Sequence, residues 1–333
     1  MTKGNLATRP GRIVVTGSVA FDYLMTFPGH FVEHLIPDQM KRLSVSFLVD
    51  EMRRVEGGCA ANISWGLAVL GETPVLFATA GPDAAGYRER LGGEGVDVSR
   101  LKICHDVYTA SFFVSTDRDQ NQIASFYTGA MARARDLSIS EMDASECAMV
   151  VISPNDPAAM DRYATECRSA GIPFLYDPSQ QVARLSGEDL SRGLEGAAVL
   201  IANDYEMGIL SQKTGRTAEE IASRVPVVIE THGADGSTIA LAEGGQRIRH
   251  AIPAAPLEGA ALDPTGVGDA FRAGLLRGLR AGLSWEIAGR MGSVAAAFCL
   301  EVQGPQPARY TIGAFVARYE RSFGRESALA AIA

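Results

Sequence analysis

The clearest sign of the architecture lies in residues 148–177, AMVVISPNDPAAMDRYATECRSAGIPFLYD. A short apolar run opens this stretch, a segment with helical periodicity extends from Pro157 to Ala170, and a second apolar run ends at Asp177. Continuous apolar runs of this length are typical of parallel strands buried on both faces, with the intervening helix as the crossover. The stretch therefore predicts a strand, a helix and a second strand of one parallel sheet.

Similar elements recur on both sides of this unit. Helical segments cover residues 58–71 and 204–213, and the chain is mostly helical from Gly268 onward. Strand-like runs occur at residues 13–17, 75–78, 148–153, 172–177, 199–202, 227–231, 238–242 and 247–252. The alternation predicts an α/β fold with a doubly wound, mostly parallel sheet, in a single unit that covers residues 1–333.

Two segments near the N-terminus, residues 24–56 and 107–130, depart from this alternation. Within the second segment, polar and apolar residues alternate at 109–115 and again at 122–127. Alternation with a period of two is typical of strands that have one exposed face. We expect the two segments to form a small β-rich insertion outside the main sheet.

The composition excludes several classes of partner. The chain has 31 basic and 39 acidic residues, a formal net charge of −8, which argues against binding a nucleic acid polymer. Five scattered cysteines without a Cys-x-x-Cys pair predict neither a zinc site nor a disulfide framework, and they fit a reducing, cytoplasmic location. The first ten residues lack the apolar run of a signal peptide, and no stretch of about 18 apolar residues could span a membrane.

A glycine-rich motif, DPTGVGDAF at residues 263–271, precedes a helical segment. Gly266 and Gly268 let successive backbone N–H groups converge on an anion, and a helix N-terminus adds partial positive charge. Asp269 begins that helix, where a carboxylate is stable and can accept the proton of an attacking alcohol. The motif indicates phosphoryl transfer, although an ordinary loop followed by an Asp helix cap is an alternative for these residues alone.

The full motif resembles the C-terminal signature of the PfkB carbohydrate kinase family, also called the ribokinase-like family. The sequence lacks the P-loop motif Gly-x-x-x-x-Gly-Lys-Ser/Thr and lacks Gly-x-Gly-x-x-Gly after a strand, so it differs from P-loop and dinucleotide-binding proteins. Other segments resemble the family in the same order along the chain. They are Asp22 after Gly17 and Ser18, GGCAAN at 57–62, NDYE at 203–206 and THGADG at 231–236.

The resemblance implies a phosphotransferase that uses ATP and Mg²⁺, with its nucleotide site in the C-terminal half. Asp269 would be the catalytic base, and the N–H groups of Gly266, Val267 and Gly268 would stabilise the transferring phosphoryl group. Glu206 would help to hold Mg²⁺, through water or directly. Asp263 begins a segment that, in relatives, binds a monovalent cation such as K⁺. The nucleotide would be held by Asn203, Glu206, Thr231, Gly233 and Gly236.

Within the family, the local sequence is especially similar to the bacterial adenosine kinases. By that similarity the ribose hydroxyls would contact Ser18, Asp22, Gly58 and Asn62. The base would contact Ser46, Phe112, Phe126, Met131, Gln180 and Gln181. The phenylalanines could stack on a purine, although the pattern around each one taken alone favours a buried strand residue.

The resemblance thus implies transfer of phosphate from ATP to the 5′-hydroxyl of adenosine, in purine salvage. Alternatives are a kinase for another nucleoside or for a free sugar such as ribose or fructose, and a non-catalytic nucleoside sensor. Because Ser46, Phe112 and Phe126 fall in the two insertions, we expect the insertions to form a lid over the acceptor site. Unpaired edges of the lid strands could be covered by a second subunit, which predicts a homodimer.

Overall fold

The computed structural model describes residues 9–34 and 44–332. Its larger sheet has nine strands in the order β13-β12-β11-β10-β9-β8-β1-β4-β5, parallel except for the antiparallel strands β12 and β13. These strands are β1 (Arg12–Thr16), β4 (Val75–Ala80), β5 (Leu101–Ile103), β8 (Cys147–Ile152), β9 (Phe174–Tyr176), β10 (Val199–Asn203), β11 (Val227–Thr231), β12 (Ser237–Glu243) and β13 (Gln246–Ile252). The predicted mostly parallel sheet is confirmed.

Helices cover both faces of this sheet, which makes the fold doubly wound. They are α2 (Cys59–Val69), α3 (Ala85–Gly93), α4 (Pro157–Ala170), α5 (Gly187–Leu194), α6 (Asp204–Thr214), α7 (Ala218–Arg224), α8 (Val267–Arg280), α9 (Trp285–Leu300) and α10 (Ile312–Phe323). The short helix α1 (Phe31–His34) lies outside this layer, in the first insertion. Successive β1 residues point to opposite faces: Val15 packs in the core with α2 and α8, and Val14 packs in the core with α4 and α5. No helix in the described part of the chain is long and apolar enough to cross a membrane.

Short 3₁₀ segments complete the helical structure. They are Pro82–Ala84, Gly129–Asp136, Ile139–Glu141, Ala144–Glu146, Ser179–Ala183, Gly233–Asp235 and Ser327–Ala331. Three of them matter for the site, because Gly129–Asp136 contains Met131, Ser179–Ala183 follows β9 and Gly233–Asp235 follows β11.

A second, four-stranded sheet stands apart from the first, in the order β3-β2-β6-β7. Its strands are β2 (Ala20–Thr26), β3 (Glu51–Gly57), β6 (Ala110–Thr116) and β7 (Gln122–Tyr127). The predicted small β-rich sheet is therefore present, and both alternating patterns are strands. The sheet begins earlier than the expected residue 24, because β2 starts at Ala20 and includes Asp22.

One part of the insertion prediction is wrong. Residues 44–49 have no regular secondary structure, so Ser46 does not lie in a strand. Its side chain is exposed. Part of the insertion, residues 35–43, lies outside the described residues.

Candidate active site

A cavity of about 450 Å³ opens between the small sheet and the carboxyl ends of the parallel strands. Nine residues predicted to contact the nucleoside line it, and Ser46 does not. The nine are Ser18, Asp22, Gly58, Asn62, Phe112, Phe126, Met131, Gln180 and Gln181. Thr265, Gly266 and Asp269 of the glycine-rich motif line the same cavity. The structure therefore brings the motif and the predicted acceptor residues to one place.

Asp269 lies in the first turn of α8 and is 9 % exposed. One carboxylate oxygen accepts a hydrogen bond from Asn62 Nδ2 at 2.9 Å. Burial raises the pKa of Asp269, while the nearby Arg272 guanidinium and the hydrogen bond from Asn62 oppose the increase. A buried carboxylate with a raised pKa at the edge of a cavity is a better proton acceptor than an exposed one.

The glycine-rich loop is held in place by the segment after α9. Gly266 has φ of 76°, and a Cβ atom there would lie 2.4 Å from Pro305 Cβ, so a larger residue does not fit. The carboxylate of Asp263 accepts hydrogen bonds from Thr265 N and Gly304 N, each 2.9 Å long. Burial acts against ionisation of Asp263, but these hydrogen bonds prevail and lower its pKa.

An ion pair lies beneath the loop. Arg272 of α8 contacts Asp177 at the end of β9, with Nη2 and Oδ1 2.6 Å apart, and both side chains are buried. Burial raises the pKa of Asp177 and Arg272 opposes that increase, while the nearby carboxylates raise the pKa of Arg272 above its ordinary value. The pair joins α8 to the main sheet, and its guanidinium stays charged beside Asp269.

Ser18, Asp22 and Gly58 form the end of the cavity next to Asp269. Gly58 has φ of 95°, and a Cβ atom there would lie 2.5 Å from Ser18 O, so only glycine lets α2 begin this close to β1. The Asp22 side chain accepts no hydrogen bond from any residue that the structure describes. Burial, together with the charge of Asp263, raises the pKa of Asp22 from 3.8 to about 6. A desolvated carboxylate without a donor is suited to bind sugar hydroxyls.

The predicted base pocket is the part of the cavity lining that combines aromatic and amide groups. Phe112 and Phe126 are paired across β6 and β7, and Phe126 is 44 % exposed, so it is not a buried strand residue. Gln181 is 5 % exposed, yet its Oε1 atom has no hydrogen-bond partner among the described residues. A buried amide oxygen without a partner is costly, so this one is available to a ligand.

The predicted nucleotide residues lie at the neighbouring strand ends. Asn203 Oδ1 accepts from Glu206 N at 2.8 Å, and the Glu206 carboxylate accepts from Asn203 N at 2.9 Å. Asn203 and Glu206 therefore form a capping box at the start of α6. Sequence analysis did not consider this structural role. Thr231 pairs with Asn203 in the sheet. Gly233 and Gly236 flank the turn that follows β11.

Sequence reasoning missed two side chains near the site. Arg184 lines the cavity. It directly follows the 3₁₀ segment Ser179–Ala183 that carries Gln180 and Gln181, and this nearness in sequence could have identified it. Gln306 contacts Asn62 from a position 244 residues away in sequence. No local pattern indicates that contact.

Comparison with known proteins gives one consistent result. The profile of the pfkB family of carbohydrate kinases matches residues 15–311. The nucleoside kinase of Methanothermobacter thermautotrophicus is 32 % identical over 318 residues, which are 94 % of this chain and 97 % of that protein. The structure of Burkholderia thailandensis nucleoside kinase in complex with inosine is 37 % identical, has a TM-score of 0.83, and is aligned over 94 % of this chain and 99 % of that one. The same Burkholderia enzyme in complex with ADP-inosine has a TM-score of 0.81 and 38 % identity, with 94 % of this chain and 97 % of that chain covered.

Proposed function

Because the chain belongs to the pfkB family of carbohydrate kinases and is a nucleoside kinase, we propose that it transfers phosphate from ATP to the 5′-hydroxyl of a purine nucleoside, with adenosine as the first candidate. The observation that carries the proposal is the position of Asp269. This buried carboxylate opens onto the same cavity as the predicted ribose and base residues.

Asp269 is the proposed general base. The nucleoside 5′-hydroxyl gives its proton to Asp269 while its oxygen forms a bond to the γ-phosphorus, and the bond from that phosphorus to the oxygen of ADP breaks. The N–H groups of Gly266, Val267 and Gly268, at the N-terminus of α8, stabilise the negative charge on the transferring group. The 14-residue helix contributes its partial positive charge at the same point.

The nucleotide would lie along the carboxyl ends of β10 and β11, next to the proposed phosphate loop. Glu206 is a candidate for Mg²⁺ because it offers hard carboxylate oxygens at a strand end, and one of them is held only by a 3.3 Å contact with Ser179 Oγ. When bound, Mg²⁺ supplies charge neutralisation of the phosphate oxygens. We propose contact through water, since the other Glu206 oxygen caps α6.

The proposed K⁺ site at Asp263 has a narrower basis. Each carboxylate oxygen already accepts one backbone N–H but retains a lone pair, so a cation could still be coordinated.

We also propose a homodimer through the small sheet, because Phe113, Ile123 and Tyr127 of that sheet have exposed apolar side chains. The five free thiols and the use of ATP favour a cytoplasmic location.

A second candidate acceptor is a 6-oxopurine nucleoside such as inosine. The favouring observation is Arg184, whose side chain lines the cavity beside Gln180 and Gln181. A guanidinium can only donate hydrogen bonds, and O6 of hypoxanthine or guanine accepts them, whereas the N6 amino group of adenine is itself a donor. The inosine complex of the Burkholderia enzyme, described above, also favours this candidate.

A phosphoryl-transfer assay with Mg²⁺ and ATP tests the function, with adenosine, inosine, guanosine, cytidine, ribose and fructose as acceptors. We expect purine nucleosides to be far better acceptors than ribose, because free sugar leaves the base end of the cavity empty. Asp269→Asn should keep nucleoside binding and lose about 10²–10⁴ in kcat, since the amide cannot take the proton.

Asp143→Asn is the matched control, because Asp143 caps a surface turn that begins at Ala144. Turnover near that of the wild type in Asp269→Asn would remove Asp269 from the mechanism. Equal catalytic efficiencies for adenosine and ribose would overturn the nucleoside assignment. The presence of Asp269 and the similarity of the chain to kinases favour an enzyme over a non-catalytic sensor.

A further inference from the structure

Gln306 is located behind the catalytic carboxylate, in the segment that also supports the glycine-rich loop. Its Nε2 atom donates to Asn62 Oδ1 at 2.8 Å and to the hydroxyl of Tyr87 at 2.6 Å. Its Oε1 atom accepts from Arg90 Nη2. The oxygen and the nitrogen of the Gln306 amide are therefore both hydrogen-bonded to protein groups that the structure describes. Gln306 is not part of the cavity lining.

These contacts leave Gln306 a single orientation. Arg90 has donors only, so the oxygen of Gln306 must face it. Arg90 is itself held by Glu56 of β3, which accepts from Arg90 Nε at 2.6 Å. The Tyr87 hydroxyl donates to Gly57 O at 3.1 Å, so it accepts from Gln306. Reversing the Gln306 amide would place its NH₂ group against the Arg90 donor.

A fixed Gln306 in turn fixes Asn62. Since Gln306 donates to Asn62 Oδ1, the NH₂ group of Asn62 must point the other way, toward Asp269 Oδ2 at 2.9 Å. A donated hydrogen bond favours the ionised form of a carboxylate. Without Gln306, Asn62 could rotate and present its oxygen to Asp269, which would repel the ionised form.

We propose that Gln306 is a positioning residue that sets the orientation of the Asn62 amide and thereby the hydrogen bond received by Asp269. This inference rests on the proposed function, in which Asp269 is the general base. It extends that function to a residue that touches neither the cavity nor the reacting atoms. It also links the base to Glu56 of the small sheet through Arg90.

The test is the pH dependence of kcat in Gln306→Met and Gln306→Glu. Methionine is similar in length and cannot donate, and glutamate keeps the contact with Arg90 but cannot donate to Asn62. In both variants we expect the acid limb of the profile to move to higher pH by about one unit, because Asp269 loses a donor that favours its ionised form.

Gln303→Met is the matched control, since Gln303 is an exposed residue of the same segment and pairs only with Arg53 at the surface among the described residues. Its acid limb should match the wild type. A purely structural role of Gln306 would lower the melting temperature and leave the acid limb in place, which would overturn the inference. If Gln306→Met fails to fold, Gln306→Glu decides. An active Asp269→Asn would instead refute the proposed function, so the two failures are distinguishable.

Discussion

Arg184 is the residue that could distinguish between the two purine classes. Its side chain lines the cavity, and it makes no hydrogen bond or ion pair with the residues that the structure describes. In the proposed complex its guanidinium donates to O6 of inosine or guanosine, while Gln181 can donate or accept and so tolerates either class. We expect Arg184→Met to reduce kcat/KM for inosine about tenfold and for adenosine much less, because a hydrogen bond to a charged group is lost.

Steady-state kinetics with both nucleosides measures this difference. Arg133→Met is a suitable control, since the Arg133 guanidinium pairs with Asp106 at the surface, 2.5 Å away. If kcat/KM falls equally for both nucleosides, Arg184 does not distinguish the groups at the 6-position of the base.

The ionised carboxylate of Asp22 lowers the stability of the folded protein, which fits a role in binding. The pKa of its carboxyl is raised to about 6 in the folded protein from 3.8, so folding favours the protonated form. Its contribution to stability is therefore fully present below about pH 4 and is lost as the pH rises through about 6. We expect Asp22→Asn to raise the melting temperature at neutral pH by about 1–3 °C and to leave it unchanged below about pH 4.

The same carboxylate should control nucleoside affinity in the opposite direction. In the proposed complex, ionised Asp22 accepts hydrogen bonds from the ribose hydroxyls, so the wild-type KM for the nucleoside should increase as the pH falls through about 6. Asp22→Asn should have a high KM at every pH. Calorimetric melting curves and pH-dependent KM values test the two effects separately. A variant that is less stable than the wild type at neutral pH would show that Asp22 supports the fold.

At the scale of elements, the sequence predicted most of the strands and helices that are marked by a local sequence pattern. The strand-like run at 227–231 and the helix at 157–170 are found with those bounds, because apolar runs, Asp156 at the helix start and Gly171 at its end are local signals. The start of β2 at Ala20 was not predicted. The chain leaves the main sheet directly after β1, and only pairing with β3 and β6, which are distant in sequence, makes that segment a strand.

The site shows the same division between local and distant signals. The glycine-rich motif indicated Asp269 because its chemistry lies within a few residues. The support of that motif comes from elsewhere in the chain: Pro305 packs against Gly266, and Gly304 N donates to Asp263. Ser46 was assigned to the base pocket through resemblance alone; it lies in an exposed irregular segment and is not among the residues that line the cavity.

At the scale of the whole molecule, the small sheet contacts the segment after α9 as well as the cavity. Arg53 of β3 donates to Gln303 at 2.5 Å, and Glu56 holds the Arg90 that contacts Gln306. Strands β6 and β7 of the same sheet supply Phe112 and Phe126 to the cavity wall. A change in the position of the small sheet would therefore alter the part of the cavity formed by Phe112 and Phe126. It would also alter the hydrogen bonds that lead through Gln306 to Asp269.

We therefore propose that the small sheet acts as a lid that closes on the nucleoside. Closure over the 450 Å³ cavity would exclude water from the transferring phosphoryl group and limit wasteful hydrolysis of ATP. Hydrogen exchange with and without nucleoside tests this. Amides of β6 and β7 should exchange more slowly when nucleoside is bound, since the paired Phe112 and Phe126 would contact the base in the proposed complex. Amides of the buried strand β8 serve as the internal control and should not change. Protection confined to the main sheet, with β6 and β7 unchanged, would show that the small sheet does not close.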